Sequence, residues 1–241
     1  MKVVGIVGYK KSGKTTLLVK VARELTERGY TVASLKHTSE SLDLPSTDTS
    51  LHRQFTIQTA AISPKESAIF FSESKSIEDM LSYLKADFIL IEGFKTEKTY
   101  PKIICLRPDD NPKSLMDGLQ ICAVSDNPDH FGIIGFPIFH PEKDISKIAD
   151  LIEQKAFKLL NLNCRACGYD SCYDMALEIV KGDKTIDDCV ALNADIKIEI
   201  DGQIIPLNPF VSKLMSNTIK AMLSSLKSYH NGKVEIHIND R

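Results

Sequence analysis

Short apolar runs alternate along this chain with stretches of helical periodicity, and the alternation predicts a mainly parallel α/β sheet flanked by helices over the first ~155 residues. Val3-Val4-Gly5-Ile6-Val7 reads as a buried strand and residues 16–28 as a helix that Gly29 ends. Residues 30–36, β-branched and apolar, complete a first βαβ unit. Residues 37–56 are polar and include Pro45, which predicts a long loop, either plain surface or a functional loop near a ligand. Short strands follow at 60–62 and 67–71 around Pro64, then a helix at 76–84 with Ile77, Met80, Leu81 and Leu84 on one face. Further strands are expected at 87–92, 102–106, 119–124 and 132–139, where Pro137 marks an edge or a strand end.

Residues 144–160 carry Ile145, Ile148, Ile152, Phe157 and Leu160 at amphipathic helical spacing, and a domain boundary is set near their end, giving units 1–158 and 159–241. In the second, small α+β unit, residues 171–181 predict a helix ended by Gly182. Ile196, Ile198 and Ile200 alternate with polar residues as a half-buried strand turning at Asp201-Gly202. Asn208-Pro209 starts a helix with Phe210, Leu214, Met215, Ile219, Met222, Leu223 and Leu226 on one face. Asn231-Gly232 leads into a last strand at 234–238.

The turn after the first strand reads Gly8-Tyr9-Lys10-Lys11-Ser12-Gly13-Lys14-Thr15, a gapless G-x-x-x-x-G-K-[ST] phosphate-binding loop in strand–loop–helix context. Gly8 and Gly13 let the backbone wrap phosphate oxygens, and the helix start points free amides and its positive dipole end at the same anion. Gly8, Lys10, Lys11, Ser12, Gly13, Lys14, Thr15 and Thr16 are therefore candidate nucleotide-binding residues. Lys14 is placed to reach the β- and γ-phosphates, and Thr15 to give its hydroxyl to Mg²⁺. The apolar strand ending at Glu92 presents an acid as a buried parallel strand does at its carboxyl end. Glu92 is the candidate to hold a magnesium-bound water or orient the attacking water; a plain capping carboxylate is the alternative. Asp87, at the other end of that strand, is read as structural; with no Asn-Lys-x-Asp present the residues leave GTP and ATP open, Asp126 being the candidate guanine reader.

Composition narrows the classes. At 241 residues and 43% apolar content the chain can build a full core. Its 30 basic and 32 acidic residues form no basic block, which argues against a nucleic-acid partner. The amino-terminal apolar run flows straight into the phosphate loop and no stretch reaches the ~18 apolar residues of a span, so neither a leader nor a membrane segment is expected and the location is read as cytoplasmic. Of the six cysteines, Cys105 and Cys122 lie inside apolar strands and read as inert core. The others, Cys164-x2-Cys167-x4-Cys172-x16-Cys189, argue for metal ligation rather than disulfides. Structural zinc usually shows two C-x2-C knuckles, whereas three crowded thiolates and a distant fourth favour a 4Fe-4S cluster over zinc or redox thiols. Cys172 falls in a helical first turn, where the dipole favours thiolate.

Residues 1 to about 155 resemble the molybdopterin-guanine dinucleotide biosynthesis protein B (MobB) family through Gly8 to Thr16, Arg28-Gly29, Lys36-His37, Glu92-Gly93-Phe94-Lys95, Pro101-Lys102-Ile103 and Ala123-Val-Ser-Asp126. The resemblance implies a dimeric P-loop protein that binds GTP with Mg²⁺, hydrolyses it weakly, and assists the partner enzyme that attaches GMP to molybdopterin. Where the family is rich in histidine and aspartate after Lys-His, this chain is not, but Asp48 matches a family acid and is a second catalytic candidate. Cys164 to Cys189, with Gly168-Tyr169, Met175-Ala176 and Lys181-Gly182, resembles the 4Fe-4S domain of the corrinoid iron-sulfur protein and Rnf-type electron-transfer subunits. That implies a cluster able to supply electrons, sense redox state or dock a redox partner. Two other readings compete: a nucleotide-gated electron donor, weakened because Tyr9 stands where the deviant loop of such ATPases carries its signature lysine, and a non-catalytic scaffold.

Overall fold

Ten short runs of the sequence pair into strands among the described residues of a computed structural model, which describes residues 1–42, 46–132, 134–194, 196–200, 203–205, 207–228, 230, 232 and 234–236. In chain order the first elements are β1 (Lys2–Gly8), α1 (Lys14–Glu27), β2 (Val32–Lys36), α2 (Asp48–His52), β3 (Gln58–Ile62), β4 (Ser67–Phe71), α3 (Ile77–Ser82) and β5 (Phe88–Glu92). β6 (Lys102–Cys105), β7 (Gln120–Val124), β8 (Ile138–Phe139), α4 (Ile145–Lys155), α5 (Cys172–Lys181), β9 (Ile198–Ile200), β10 (Gln203–Ile205) and α6 (Pro209–Ser224) follow.

Six strands form one sheet in the order β2-β5-β1-β6-β7-β8, with every neighbouring pair parallel. Strands covered on both faces need continuous apolar runs, and β5 and β7 are buried at every position. On one face, Leu17, Val21 and Leu25 of α1 and Ile148, Ala149 and Ile152 of α4 pack on Val4, Ile6, Leu90 and Ile103. Each such Leu, Val or Ile removed from water contributes ~1.5–3 kcal/mol. On the other face, α3 lays Ile77 and Leu81 on Val3, Ile89 and Ile91. Because all six strands run the same way, Gly8, Lys36, Glu92, Cys105 and Val124 end at one edge of the sheet.

Several expectations change. The helix after residue 144 stops at Lys155, and residues 156–160 run on without helix because Leu159 donates its amide to the Thr99 carbonyl at 2.9 Å and buries, with Phe157, against Leu119 and Met175. The expected loop 37–56 contains α2, which Thr47 starts by accepting the Ser50 amide. The strands near Pro64 form a separate antiparallel hairpin outside the main sheet. The strand expected at 132–139 shrinks to β8, since Gly132 and Gly135 turn through positive φ before Pro137. In α6 the expected apolar face divides: Val211, Met215, Ile219 and Leu223 are partly buried beside Ser212 and Ser216, while Phe210, Leu214, Met222 and Leu226 stay exposed. Residues 234–236 carry no strand; the predicted turn at Asp201-Gly202, Pro45, Asn231 and the end of the last strand lie outside the described residues.

The cysteine-bearing segment sits against the opposite, amino-terminal edge of the sheet. Tyr173 Oη donates to the Asp117 carbonyl at 2.5 Å, just before β7. Gly118 approaches Leu177 so closely that an added Cβ would come within 2.4 Å of Leu177 Cδ2. Lys155 Nζ donates to the Val180 carbonyl at 3.2 Å.

Candidate nucleotide site and four-cysteine pocket

β1 delivers the chain to Gly8, where an added Cβ would meet Ser12 Oγ at 2.4 Å and the Cys105 carbonyl at 2.7 Å, so only glycine lets the turn close here. Lys11 (φ 64°) and Gly13 (φ 81°) bend the loop through left-handed conformations, and Gly13 is the N-cap of α1. No acid occupies the first turn of α1, which leaves its amide end and dipole unneutralised. Ser12 Oγ is buried without a hydrogen-bond partner, and such an orphaned hydroxyl just before a helix amino terminus fits a bound phosphate group.

Lys14 Nζ donates to the Tyr9 carbonyl at 2.5 Å, folding back across the loop. Burial holds its pKa below the ordinary lysine value; Glu92 opposes that shift, while Lys95 and Lys36 add like charge. Glu92 is 8% exposed at the end of β5, in register with Ile6 of β1 and Lys36 of β2. Thr15 Oγ1 donates to it at 3.0 Å and 2.9 Å, and Lys36 Nζ lies 3.7 Å away. A hydroxyl and a carboxylate side by side at a phosphate loop are the donor set of a hydrated Mg²⁺, so Thr15 and Glu92 are the residues able to hold that ion.

The other candidates are placed less tightly. Lys10 is exposed and pairs with Glu40 at 3.8 Å. Asp126 is exposed just past β7, at the same edge of the sheet as the loop. Asp48 lies exposed in the first turn of α2. Asp87 has the structural place expected of it, accepting from Thr31 N and Oγ1 at 2.8 Å and 2.7 Å. Sequence reasoning assigned no charge role at this site to Lys36 and Lys95, whose signal was their place in the Lys36-His37 and Glu92-Gly93-Phe94-Lys95 motifs, and passed over Ser114, whose Oγ is 2.6 Å from Tyr9 Oη and which lies in a polar stretch without a motif.

Cys164, Cys167, Cys172 and Cys189 line a single pocket, together with apolar Leu159, Leu162, Met175 and Ala191. Asn161, Asn163, Arg165 and Gly168 all take positive φ, curling the loop tightly around it. Asn163 donates its amide to Cys172 Sγ at 3.4 Å and accepts the Cys172 amide on its side chain at 2.7 Å. Ser171 caps α5 with a reciprocal Ser171–Asp174 box, which fixes Cys172 at the first helical position. Cys189 is buried; burial pushes its thiol up, against bonds from the Leu192 and Ala191 amides. The four thiols ring the pocket rather than meet at a point: among the described residues no three His, Cys, Asp or Glu side chains converge closely enough for one ion. An all-sulfur donor set with amides aimed at the sulfurs and an apolar lining fits an iron-sulfur cluster. Cys105 and Cys122 are buried in the sheet, where burial raises Cys105 to about 12 and Cys122 likewise upward, as suits inert core thiols.

Fold and sites together define a P-loop-type α/β protein with an iron-sulfur segment docked on the far edge of its sheet. Residues 3–127 match the family model of "Molybdopterin guanine dinucleotide synthesis protein B", and residues 161–191 match one described as "Putative Fe-S cluster". The chain belongs to the MobB family. It is 34% identical to the "Putative molybdopterin-guanine dinucleotide biosynthesis adapter protein" of Methanocaldococcus jannaschii, with 99% of each chain covered. It is 30% identical to the corresponding adapter protein of Escherichia coli, over 60% of this chain and 87% of that one. The Bacillus subtilis MobB crystal structure superposes with a TM-score of 0.54 at 22% identity, covering 65% of this chain and 99% of that one, a likeness of fold. No helix among the described residues is long and apolar enough to cross a membrane.

Proposed function

We propose that this chain is a GTP-binding adapter of molybdopterin guanine dinucleotide synthesis, acting in the cytoplasm as a homodimer beside a molybdopterin guanylyltransferase-type enzyme and serving a pterin-based molybdenum or tungsten cofactor. The full-length likeness to a named adapter protein supports the role, and the Thr15–Glu92 contact at the mouth of the phosphate loop carries the nucleotide reading. Lys14 bridges the terminal phosphates, the loop amides from Gly8 to Thr16 cradle them, and Asp126 reads guanine. Thr15 and Glu92 hold Mg²⁺, which neutralises phosphate charge when bound. Glu92 also orients water for slow hydrolysis, with Asp48 the substitute candidate. In this reading residues 1–158 are the nucleotide domain, and residues 159–241 a cluster-bearing domain in which Cys164, Cys167, Cys172 and Cys189 hold a 4Fe-4S cluster for electron supply, redox sensing or docking of a redox partner.

Calorimetry of anaerobic protein with Mg-GTP and Mg-ATP, followed by co-purification with a guanylyltransferase, tests the proposal. Preferential GTP binding and a stable complex are expected; equal affinities and no complex overturn it. A nucleotide-gated electron donor is the second reading, favoured by the docking of α5 on the nucleotide-binding sheet and disfavoured by Tyr9, whose hydroxyl pairs with Ser114 where such donors need a lysine.

A further inference from the structure

Lys102 is buried at the start of β6, 1% exposed, and neither phosphate binding nor cluster ligation uses it. A buried ammonium is costly unless it is paired and hydrogen-bonded. Lys102 Nζ bonds Asp117 Oδ2 at 2.5 Å and donates to the Lys95 carbonyl at 2.7 Å. Its stem lies beside Gly5 of β1: a Cβ there would lie 3.5 Å from Lys102 Cγ and 2.8 Å from the Tyr100 ring.

This pair anchors an unusual connection. Residues 93–101 carry the chain from the carboxyl end of β5 to the amino end of β6 in nine residues without a helix. Parallel crossovers usually take about a dozen residues or more. At its start the crossover meets the nucleotide site, where Lys95 Nζ sits 4.5 Å over the Tyr9 ring. At its end it meets the cysteine segment. Lys98 Nζ lies 4.7 Å over the Tyr173 ring and 3.0 Å from Asp117 Oδ2, and Thr99 accepts the Leu159 amide at 2.9 Å and Lys158 Nζ at 2.8 Å. Tyr173, the residue after Cys172, closes the network by donating to the Asp117 carbonyl at 2.5 Å.

The geometry points to the 93–101 crossover, anchored by Lys102 and Asp117, as the physical link through which nucleotide binding at one edge of the sheet and the redox state of the cluster at the other bias each other. The inference rests on the reading that these sites hold a nucleotide and a cluster. Phosphate oxygens draw Lys95 off Tyr9, the short crossover shifts with it, and Lys98 and Asp117 pass the shift to Tyr173, which follows Cys172 in the first turn of α5. Linkage then requires the effect to run both ways.

The test uses the full-length protein, prepared anaerobically, with iron content and Mg-GTP binding measured first. Its cluster is titrated with dithionite by one electron, with and without Mg-GTP. For the parent, nucleotide affinity is expected to change roughly 5–150-fold between oxidised and reduced cluster. Each tenfold corresponds to a ~59 mV shift of a one-electron couple. Tyr173→Phe, which removes one hydroxyl and no charge, is expected to shrink that shift while leaving Mg-GTP affinity of the oxidised protein unchanged; Lys102→Met is expected to abolish it. Equal potentials with and without nucleotide in the parent, or a full parental shift in Tyr173→Phe, overturn the link. Absent iron or absent nucleotide binding in the parent refutes the functional reading itself and the link with it, and the preliminary measurements tell the two failures apart.

Discussion

Thr15 Oγ1 lies within hydrogen-bond distance of both oxygens of Glu92, at 3.0 Å and 2.9 Å, so its hydroxyl ties the first turn of α1 to the end of β5, the strand beside β1. In the proposed reading this carboxylate serves a magnesium-bound water or the attacking water. Glu92→Gln keeps the size and a hydrogen-bond acceptor but removes the charge, so hydrolysis of Mg-nucleotide is expected to fall more than binding, by roughly 10²-fold or more against less than ~10-fold. Steady-state turnover and calorimetry on the same samples check this. Parental turnover in the variant makes Glu92 a strand-end cap and moves attention to Asp48.

Lys14→Ala tests the loop directly. Lys14 is a partly buried ammonium folded onto the Tyr9 carbonyl, with Lys36 and Lys95 adding like charge. Losing it removes charge-assisted bonds to the terminal phosphates, each worth about 1.5–3 kcal/mol, so nucleotide affinity is expected to drop at least ~10-fold. The thermal midpoint of the nucleotide-free variant is expected to match or exceed the parent's, because a partly desolvated cation is gone. Unchanged affinity for both GTP and ATP contradicts the phosphate-loop reading.

Local patterns were the most legible. Val3 to Val7 and the run ending at Glu92 announced buried parallel strands because both sheet faces are covered, and the phosphate loop is a contiguous motif whose neighbours are its own context. The end of α4 was not legible: Phe157 and Leu160 fit helical spacing, but the bond of Leu159 to Thr99 decides for an extended chain. That bond joins residues 60 positions apart. The same holds for Lys102 with Asp117 and for Tyr173 with the Asp117 carbonyl, where charged or polar groups separated in sequence find each other only in the folded sheet. A lysine opening a fully buried strand was the one available hint.

Metal content separates the cysteines into two groups. Anaerobic protein is expected to carry about four iron and four sulfide per chain, as four thiolates around one cubane require. Replacing Cys164, Cys167, Cys172 or Cys189 by Ala lowers iron to a fraction of the parent's. Cys105→Ala and Cys122→Ala keep it, since both thiols are sealed in the sheet with burial holding them protonated. Colourless parent protein with one zinc per chain reverses the assignment.

Asp117 predicts an acid-sensitive stability. Its carboxylate pairs with Lys102 at 2.5 Å and Lys98 at 3.0 Å and accepts from Gln120 Nε2 at 2.5 Å. Burial pushes its pKa up, but the Lys102 and Lys98 ammonium groups outweigh burial and hold it below the ordinary carboxylate value. A carboxyl with a lowered pKa in the folded state binds its proton more tightly when unfolded. It therefore contributes stability above the unfolded value of ~3.9, and the contribution is lost as pH falls through the folded value. Asp117→Asn leaves Lys102 buried without its counter-charge, at an expected cost of about 3–5 kcal/mol near neutral pH. The gap between parent and variant should narrow as pH falls below ~4, where the parent's Asp117 takes up its proton and both proteins hold Lys102 without a counter-charge. Thermal unfolding of the two from about pH 5 downward measures it; a gap that stays as large at about pH 2 as at about pH 5 means the Asp117 carboxylate is not the group that supports Lys102.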